Sequence, residues 1–341
     1  MSFVSATPET LVPLVSQYRW QEELQRAIRN PEELLEYLQL PMELLPQAEK
    51  AAADFPLRVP MPFVDKMQRG NPNDPLLRQV LPLAAELQVV EGYDVDPLEE
   101  LDANPLKGLI HKYKSRVLLT MASACAVNCR YCFRRHFPYG DNNPSADEWR
   151  QVVDYIAADD SINEVIFSGG DPLLSPDRTL SRLVQELEAV EHLQRLRIHT
   201  RLPVVIPQRV DDELLQWLRS TRFQTVMVLH INHSAEIDTT LAARVADLKA
   251  SGVTVLNQSV LLRGVNDSVD TLVELSEALF AAGILPYYLH VLDKTAGTAH
   301  FDCSETEARR LFAGMQMRLS GFLVPKLVRE IPERASKTLI F

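Results

Sequence analysis

The chain has 341 residues and a formal net charge of −11 at pH 7, with 46% hydrophobic and 24% charged residues. This composition is typical of soluble globular proteins, and the length suits one large domain with a smaller addition. The acidic balance argues against a general surface for nucleic-acid backbones, because such a surface needs clustered lysine and arginine. Four cysteines in this length are typical of cytosolic proteins, so we expect no disulfide framework.

The sequence contains no recognisable export or membrane signal. Residues 1–9 have no basic segment followed by an apolar one, so we expect no signal peptide. The longest uncharged apolar stretch, 278–289, contains Gly283 and Pro286 and is too short to cross a bilayer. We therefore expect a cytoplasmic protein without membrane attachment.

Residues 1–110 differ in pattern from the rest of the chain. Apolar residues at helical spacing predict short amphipathic helices at 20–29 and 31–40. Prolines and turn residues dominate 55–102, which predicts an irregular segment with one helix near 76–87. We expect this region to form a mainly helical layer that wraps the main domain.

From residue 115 the pattern alternates between strand and helix. Candidate strands lie at 117–121, 164–167, 195–200, 225–230, 254–260 and 287–292. Candidate helices lie at 147–158, 179–190, 212–219, 241–250, 271–282 and 305–319. Two of these helices follow capping-box spacings, Ser145 with Glu148 and Ser304 with Glu307. About six such units predict a parallel sheet with right-handed crossovers, as an incomplete (β/α)6 barrel over 111–320, with a doubly wound sheet as the alternative.

Three of the four cysteines, Cys125, Cys129 and Cys132, lie within eight residues, directly after the first candidate strand. In a barrel this position is at the carboxyl ends of the strands, where functional residues collect. Structural zinc sites and electron-transfer 4Fe–4S clusters usually take four protein ligands. Three thiolates on one loop would leave one iron of a cubane open to a substrate or cofactor. The alternatives are a buried group of free thiols and a partial zinc site.

Two nearby segments carry candidate ligand-binding residues. Arg134 follows the cysteines and adds positive charge, which favours an anionic group. The segment Ser168–Asp171 ends the second candidate strand, and its paired glycines allow backbone to approach a ligand closely. Considered alone, the first segment is equally a solvated basic turn, and the second is equally an ordinary bend.

The cysteine spacing followed by the glycine-rich turn resembles the radical S-adenosylmethionine (SAM) superfamily. From about residue 100 to the end, the chain is similar to lysine 2,3-aminomutases, which use SAM, a 4Fe–4S cluster and pyridoxal 5′-phosphate (PLP). The resemblance implies that Cys125, Cys129 and Cys132 hold the cluster. It also implies that a radical made from SAM starts the migration of an amino group from Cα to Cβ of lysine held on PLP.

The resemblance also assigns a covalent PLP lysine in the C-terminal segment. Lys337 in Pro332–Lys337 matches the lysine that forms the Schiff base, although the family's run of glycines is absent here. Lys326 and Lys294 are the competing candidates. The segment 321–341 is therefore expected to form a short PLP-binding tail.

The remaining assignments concern the three ligands. The resemblance gives PLP to Lys112, Tyr113 and Arg116, SAM to Ser168, Gly169, Gly170, Asp171, His230 and Gln258, and the substrate to Arg134, Asp293 and Glu330. Lys112 replaces an arginine and Glu330 replaces an aspartate of the family pattern, and both replacements keep the charge.

The predicted function is that of an isomerase, an L-lysine 2,3-aminomutase of the short branch that supplies (R)-β-lysine for the modification of elongation factor P. Expected partners are L-lysine, an electron donor such as flavodoxin or ferredoxin, and the elongation factor P pathway with its lysine ligase. We also expect a homo-oligomer that binds no nucleic acid. Cys303 stands alone, so no zinc site is expected. The alternatives are the same chemistry on glutamate or arginine, and a non-catalytic iron–sulfur or zinc scaffold.

Overall fold

The computed structural model of the chain describes residues 19–100, 103–138 and 144–341. The expectation of no signal peptide concerns residues 1–9, which lie outside these ranges. Within them, every helix is too short or too polar to cross a bilayer.

Short helices form the region before the sheet: α1 Trp20–Gln25, α2 Pro31–Tyr37, α3 Leu45–Asp54, α4 Met61–Val64 and α5 Pro75–Arg78. The first two predicted helices are present but end earlier than expected. The predicted helix near 76–87 is wrong as one element, because α5 ends at Arg78 and a separate 3-10 turn occupies Ala84–Leu87. Pro82 lies between the two and lacks the amide hydrogen that a continuous helix needs. Helix α3 was not predicted.

The helical layer shares one apolar core with the main domain. Leu34 and Phe63 of the layer are completely buried in the same cluster as Phe167 and Ile198 of the sheet. This shared burial agrees with a layer that packs on the main domain. The division of the chain at 110 and 320 stays a prediction.

The described strands form a single sheet in chain order: β1 Leu109–Tyr113, β2 Arg116–Ala122, β3 Glu164–Gly169, β4 Arg195–Thr200, β5 Gln224–His230, β6 Thr254–Leu261, β7 Leu285–Val291, β8 Lys326–Arg329 and β9 Thr338–Leu339. All neighbours from β2 to β8 pair in parallel, while β1 and β9 are antiparallel additions at the two edges. The six predicted strands are confirmed, and the sheet is that of the predicted incomplete barrel.

Helices follow most of the parallel strands: α6 Ala146–Ala157, α7 Asp177–Glu188, α8 Leu202–Val205, α9 Asp212–Ser220, α10 Thr239–Ala250, α11 Val269–Ala281 and α12 Glu305–Arg318. The predicted capping box before α6 is confirmed, since Ser145 and Glu148 bond reciprocally. Before α12 the Ser304 hydroxyl accepts from the Glu307 amide, while the Glu307 carboxylate binds Arg310.

The C-terminal segment extends the sheet rather than lying on its surface. Strand β8 pairs with β7, and β9 folds back onto β8. Leu327 and Val328 of this segment are completely buried, whereas Ile331 is half-buried. Ile340 is also buried. These contacts hold Lys337, the residue before β9, against the inside of the barrel.

Candidate active site

A cavity of about 530 Å³ lies inside the curved sheet. It reaches from the cysteine loop after β2 to Arg116 at the start of the same strand. Every residue predicted for the site lines this cavity: Cys125, Cys129, Cys132, Lys112, Tyr113, Arg116, Arg134, Ser168, Gly169, Gly170, Asp171, His230, Gln258, Asp293, Glu330 and Lys337. Of the competing lysines, Lys326 is exposed and Lys294 lies 5.9 Å from the ring centre of Tyr93.

The helical layer holds the cysteine loop through a buried ion cluster. Glu86 accepts hydrogen bonds from the guanidinium of Arg130, which is completely buried, and from Arg135 at 3.1 Å. Both guanidinium groups lie over the Phe55 ring, at 4.7 and 4.6 Å from its centre. No local sequence pattern predicts this cluster, because Glu86 is more than forty residues from either arginine.

The surroundings of Cys125 and Cys132 disfavour free thiolates. Burial, followed by the charges of neighbouring cysteines, raises the pKa of Cys125 well above its usual value and that of Cys132 to about 11. A bound iron cluster would supply the positive charge that their thiolates lack. Within the described residues, no three His, Cys, Asp or Glu side chains surround one point as a single metal ion requires. A cubane has no such requirement, since each cysteine binds a different iron.

The glycine-rich turn packs tightly against the cysteine loop. A Cβ on Gly170 would come within 2.2 Å of the carbonyl oxygen of Ala124, and Gly169 has a φ of +107°. The glycines therefore allow the turn to approach another segment of the chain, in addition to any ligand.

The carboxylate of Asp171 fixes the turns that follow β3 and β4. It accepts hydrogen bonds from Thr200 Oγ1 at 2.7 Å, from the amides of Arg201 and Leu202 at 2.8 and 2.9 Å, and from the Leu173 amide at 3.1 Å. Burial nevertheless raises its pKa. Its observed role is to support the turn, and its contact with SAM stays a prediction.

Glu100, which was not predicted, holds two of the predicted cations. Its carboxylate binds Arg134 through two hydrogen bonds of 2.6 and 2.8 Å and lies 3.7 Å from Lys112. Arg134 also donates to Ser168 Oγ at 3.1 Å. Burial alone would raise the pKa of Glu100, but Arg134 and Lys112 hold it below its usual value. Glu100 thus orients the guanidinium that is predicted to bind the substrate carboxylate.

The two predicted acids have opposite pKa shifts. Lys337 Nζ forms an ion pair with Glu330, and the Tyr113 hydroxyl donates to Glu330 at 2.8 Å. Although burial opposes it, this pairing lowers the pKa of Glu330 to about 2. Burial and the charge of Glu330 raise the pKa of Asp293 to about 7. Near neutral pH one acid is ionised and its neighbour is about half ionised.

Neutral histidines line the middle of the cavity. His230 and Gln258 are paired neighbours on β5 and β6, and their side chains lie 3.0 Å apart. His199 and His290, which were not predicted, also face the cavity, and the Nε2 atom of each has no partner among the described residues. Burial lowers the pKa of His230 and His290 to about 3, so both rings are neutral. These histidines can hydrogen-bond a ligand without adding charge.

The far end of the cavity is basic. Glu164 on β3 is paired in register with Arg116 on β2 and with Arg195 on β4. Its carboxylate also forms an ion pair with Arg197. The Arg116 guanidinium also lies over the Tyr113 ring, 4.1 Å from its centre. Three arginines around one acid suit a phosphate group, so the residues present fit the phosphate of PLP.

The chain is similar in sequence to known proteins. The sequence model of the Radical SAM superfamily matches residues 119–276. The L-lysine 2,3-aminomutase of Haemophilus influenzae is 53% identical over 320 residues, which cover 94% of this chain and 95% of that protein. The enzyme of the same name from Escherichia coli is 49% identical, with 94% and 93% covered. That of Clostridium subterminale is 34% identical, with 94% of this chain and 77% of the relative covered.

Proposed function

This chain belongs to the radical SAM lysine 2,3-aminomutase family and is therefore an isomerase, and we propose that it converts L-α-lysine to (R)-β-lysine. The family also implies a 4Fe–4S cluster and SAM. The main support for lysine is the pair of acids, Asp293 and Glu330, in the cavity that also contains Lys337 and the three cysteines.

The proposed cofactors divide the cavity between them. When bound, the cluster with SAM supplies a radical that removes hydrogen, and PLP supplies the group on which nitrogen migrates. Cys125, Cys129 and Cys132 hold the cluster, and the turn Ser168–Asp171 with His230 and Gln258 contacts SAM. The neutral histidine and the glutamine amide suit a ligand that is already cationic at sulfur.

The proposed PLP site combines Lys337 with the basic end of the cavity. Arg116 and Tyr113 bind the cofactor phosphate and ring, and Lys112 adds charge from the neighbouring strand. Lys337 must lose its proton before its amine can attach to the cofactor. Glu330 now holds the Lys337 ammonium as an ion pair, and because this pairing lowers the pKa of Glu330 to about 2, its role is to release the side chain rather than to accept the proton.

The proposed substrate site has a cation for the carboxylate and two acids for the side chain. Arg134, oriented by Glu100, binds the lysine carboxylate. Asp293 and Glu330 bind the side-chain ammonium, because a buried charge requires a partner of opposite sign. Two carboxylates would repel the side chain of glutamate. Arginine is cationic as well, so the assay must compare it directly.

We further propose that the product is used in the modification of elongation factor P by its lysine ligase. This proposal rests on the resemblance to the short branch of the family. It includes a cytoplasmic location, an electron donor such as flavodoxin or ferredoxin, and a homo-oligomeric protein. Incubating the enzyme and its proposed cofactors with L-lysine, ATP, elongation factor P and the ligase should attach β-lysine, identified by chromatography after hydrolysis, to elongation factor P only when this chain is present.

The activity is tested with anaerobic protein reconstituted with iron, sulfide, PLP and SAM, and reduced with dithionite. L-Lysine, L-arginine and L-glutamate are supplied separately, and the products are separated by chromatography. We expect β-lysine from lysine, with little conversion of the others. Preferred conversion of glutamate or arginine would show that the substrate is wrong, and absence of SAM cleavage would favour the scaffold alternative.

A further inference from the structure

Arg201 is a buried arginine that the proposed function does not use. It follows β4 and is 5% exposed. Its Nη1 atom donates to Cys129 Sγ at 2.8 Å and to the hydroxyl of Tyr131, which lies in the cysteine loop. Its Nη2 atom donates to Gln79 at 2.7 Å and to Glu236 at 3.0 Å. The guanidinium therefore connects one cluster ligand to the surrounding protein.

The partners of Arg201 are themselves fixed. Glu236 is completely buried and accepts from the amides of Asn232 and His233 at 2.8 and 3.1 Å. The Asn232 side chain donates to the Tyr131 hydroxyl at 2.7 Å and to Gln79 at 3.0 Å. Because each acceptor is held by other donors, the guanidinium has little freedom to turn away from Cys129.

For the potential of a bound cluster, the hydrogen bond from Arg201 to the Cys129 sulfur matters more than the net charge of Arg201. Glu236 offsets that charge, since the two groups form a buried pair. The N–H that points at Cys129 nevertheless remains a fixed donor to sulfur. Hydrogen bonds to the sulfurs are one of the factors that set the potential of iron–sulfur clusters. A cluster that gains an electron has more negative sulfurs, so this bond is stronger in the reduced state.

We propose that Arg201 is a positioning residue that raises the reduction potential of the cluster through its hydrogen bond to Cys129. One electron enters the cluster from a low-potential one-electron donor, and Arg201 keeps its protons throughout. The proposal requires the cluster that the family implies, but neither the substrate nor the PLP assignment. The role of Arg201 can therefore be wrong while the aminomutase assignment is right, and the reverse.

The test compares Arg201→Met, which removes every side-chain N–H donor, and Arg201→Lys with Arg209→Met as a matched control. Arg209 is also completely buried, and it binds Asp177 at 2.9 Å and the Leu173 carbonyl at 2.7 Å without lining the cavity. Each protein is reconstituted without PLP or substrate, and its iron content is measured. The midpoint potential is then measured by EPR-monitored potentiometry.

We expect Arg201→Met to make reduction about tenfold less favourable, which for one electron is a shift of about 59 mV to more negative potential. Arg201→Lys should shift less, because an ammonium can still donate to sulfur, and Arg209→Met should not shift. Full iron content with an unchanged potential in both Arg201 variants would overturn the proposal. An equal shift in Arg209→Met, or loss of iron from both Arg201 variants, would also overturn it.

Discussion

Replacement of Asp293 by asparagine separates stability from substrate binding. Asp293 lies beside Glu330 in the cavity, and burial with that neighbouring charge raises its pKa from 3.8 to about 7. Asparagine keeps the shape of the side chain but cannot ionise. The variant thus removes a charge that the folded protein tolerates poorly and that the substrate requires.

The expected difference in unfolding free energy between Asp293→Asn and the wild type follows from the pKa of Asp293. The shift is roughly three units, and each unit corresponds to about 1.36 kcal/mol, so ionising Asp293 in the folded protein costs at most about 4 kcal/mol. Between about pH 4 and pH 7 the unfolded chain has lost this proton and the folded protein retains it, so stability falls as the pH rises. At pH 8 we expect Asp293→Asn to exceed the wild type in unfolding free energy by about 2–4 kcal/mol, whereas near pH 4 the two should match.

The assay is urea unfolding of cofactor-free protein at several pH values, with the exposed Asp160→Asn as control. The control should match the wild type at every pH. The gain for Asp293→Asn should increase between pH 5 and pH 8. If Asp293→Asn is no more stable than the wild type at pH 8, the inferred burial of this charge is wrong.

Asp293→Asn should weaken lysine binding, although it makes the folded protein more stable. Loss of a charge-assisted contact costs about 1.5–3 kcal/mol, so Asp293→Asn should bind lysine roughly ten to a hundred times more weakly. The wild type should bind lysine about tenfold more tightly at pH 8 than at pH 6, because Asp293 ionises over this range. Equilibrium dialysis with PLP-loaded protein measures both effects. An equally steep pH dependence in Asp293→Asn would refute the assignment.

Three further predictions concern the cofactors and the cysteine loop. Cys129→Ala should abolish cluster binding and SAM cleavage while Cys303→Ala retains both, and iron loss from the second variant would contradict the three-cysteine site. Borohydride reduction followed by peptide mass mapping should place the pyridoxyl group on Lys337, and an adduct on another lysine would contradict the tail assignment. Lys337→Ala should keep the cluster but lose aminomutation. Glu86→Gln leaves the buried Arg130 without its carboxylate and Arg135 with only the exposed Asp54, so we expect a loss of about 3–5 kcal/mol in unfolding free energy and a lower iron content. An unchanged urea midpoint would count against this prediction.

Local patterns in the sequence determined the main elements of the fold. The alternation of strand-like and helical segments along the chain, with Ser145 and Glu148 as a capping box, predicted the parallel strands and the helices between them, because these signals lie within a few neighbouring residues. The spacing of Cys125, Cys129 and Cys132 likewise predicted a site at the carboxyl ends of the strands. Every residue predicted for the site lines the cavity inside the sheet, and their individual roles stay predictions.

Only the tertiary structure identified the groups that support the site. Glu100 lies 34 residues from Arg134, Glu86 lies 44 residues from Arg130, and Arg201 lies 72 residues from Cys129. No local pattern marks such pairs, since each depends on which segments pack together. The tail illustrates the same limit, because β8 has only four residues and is ordered by its pairing with β7.

The charge states of the site also depend on tertiary contacts. Asp293 and Glu330 carry the same functional group, and the sequence gives no reason for them to ionise at different pH values. Burial beside a like charge raises one pKa, whereas an ammonium and a phenol hydrogen bond lower the other. The sequence thus determined which groups are present, and the packing of distant segments decided which of them are charged, because desolvation and Coulomb energies depend on distances in the folded chain.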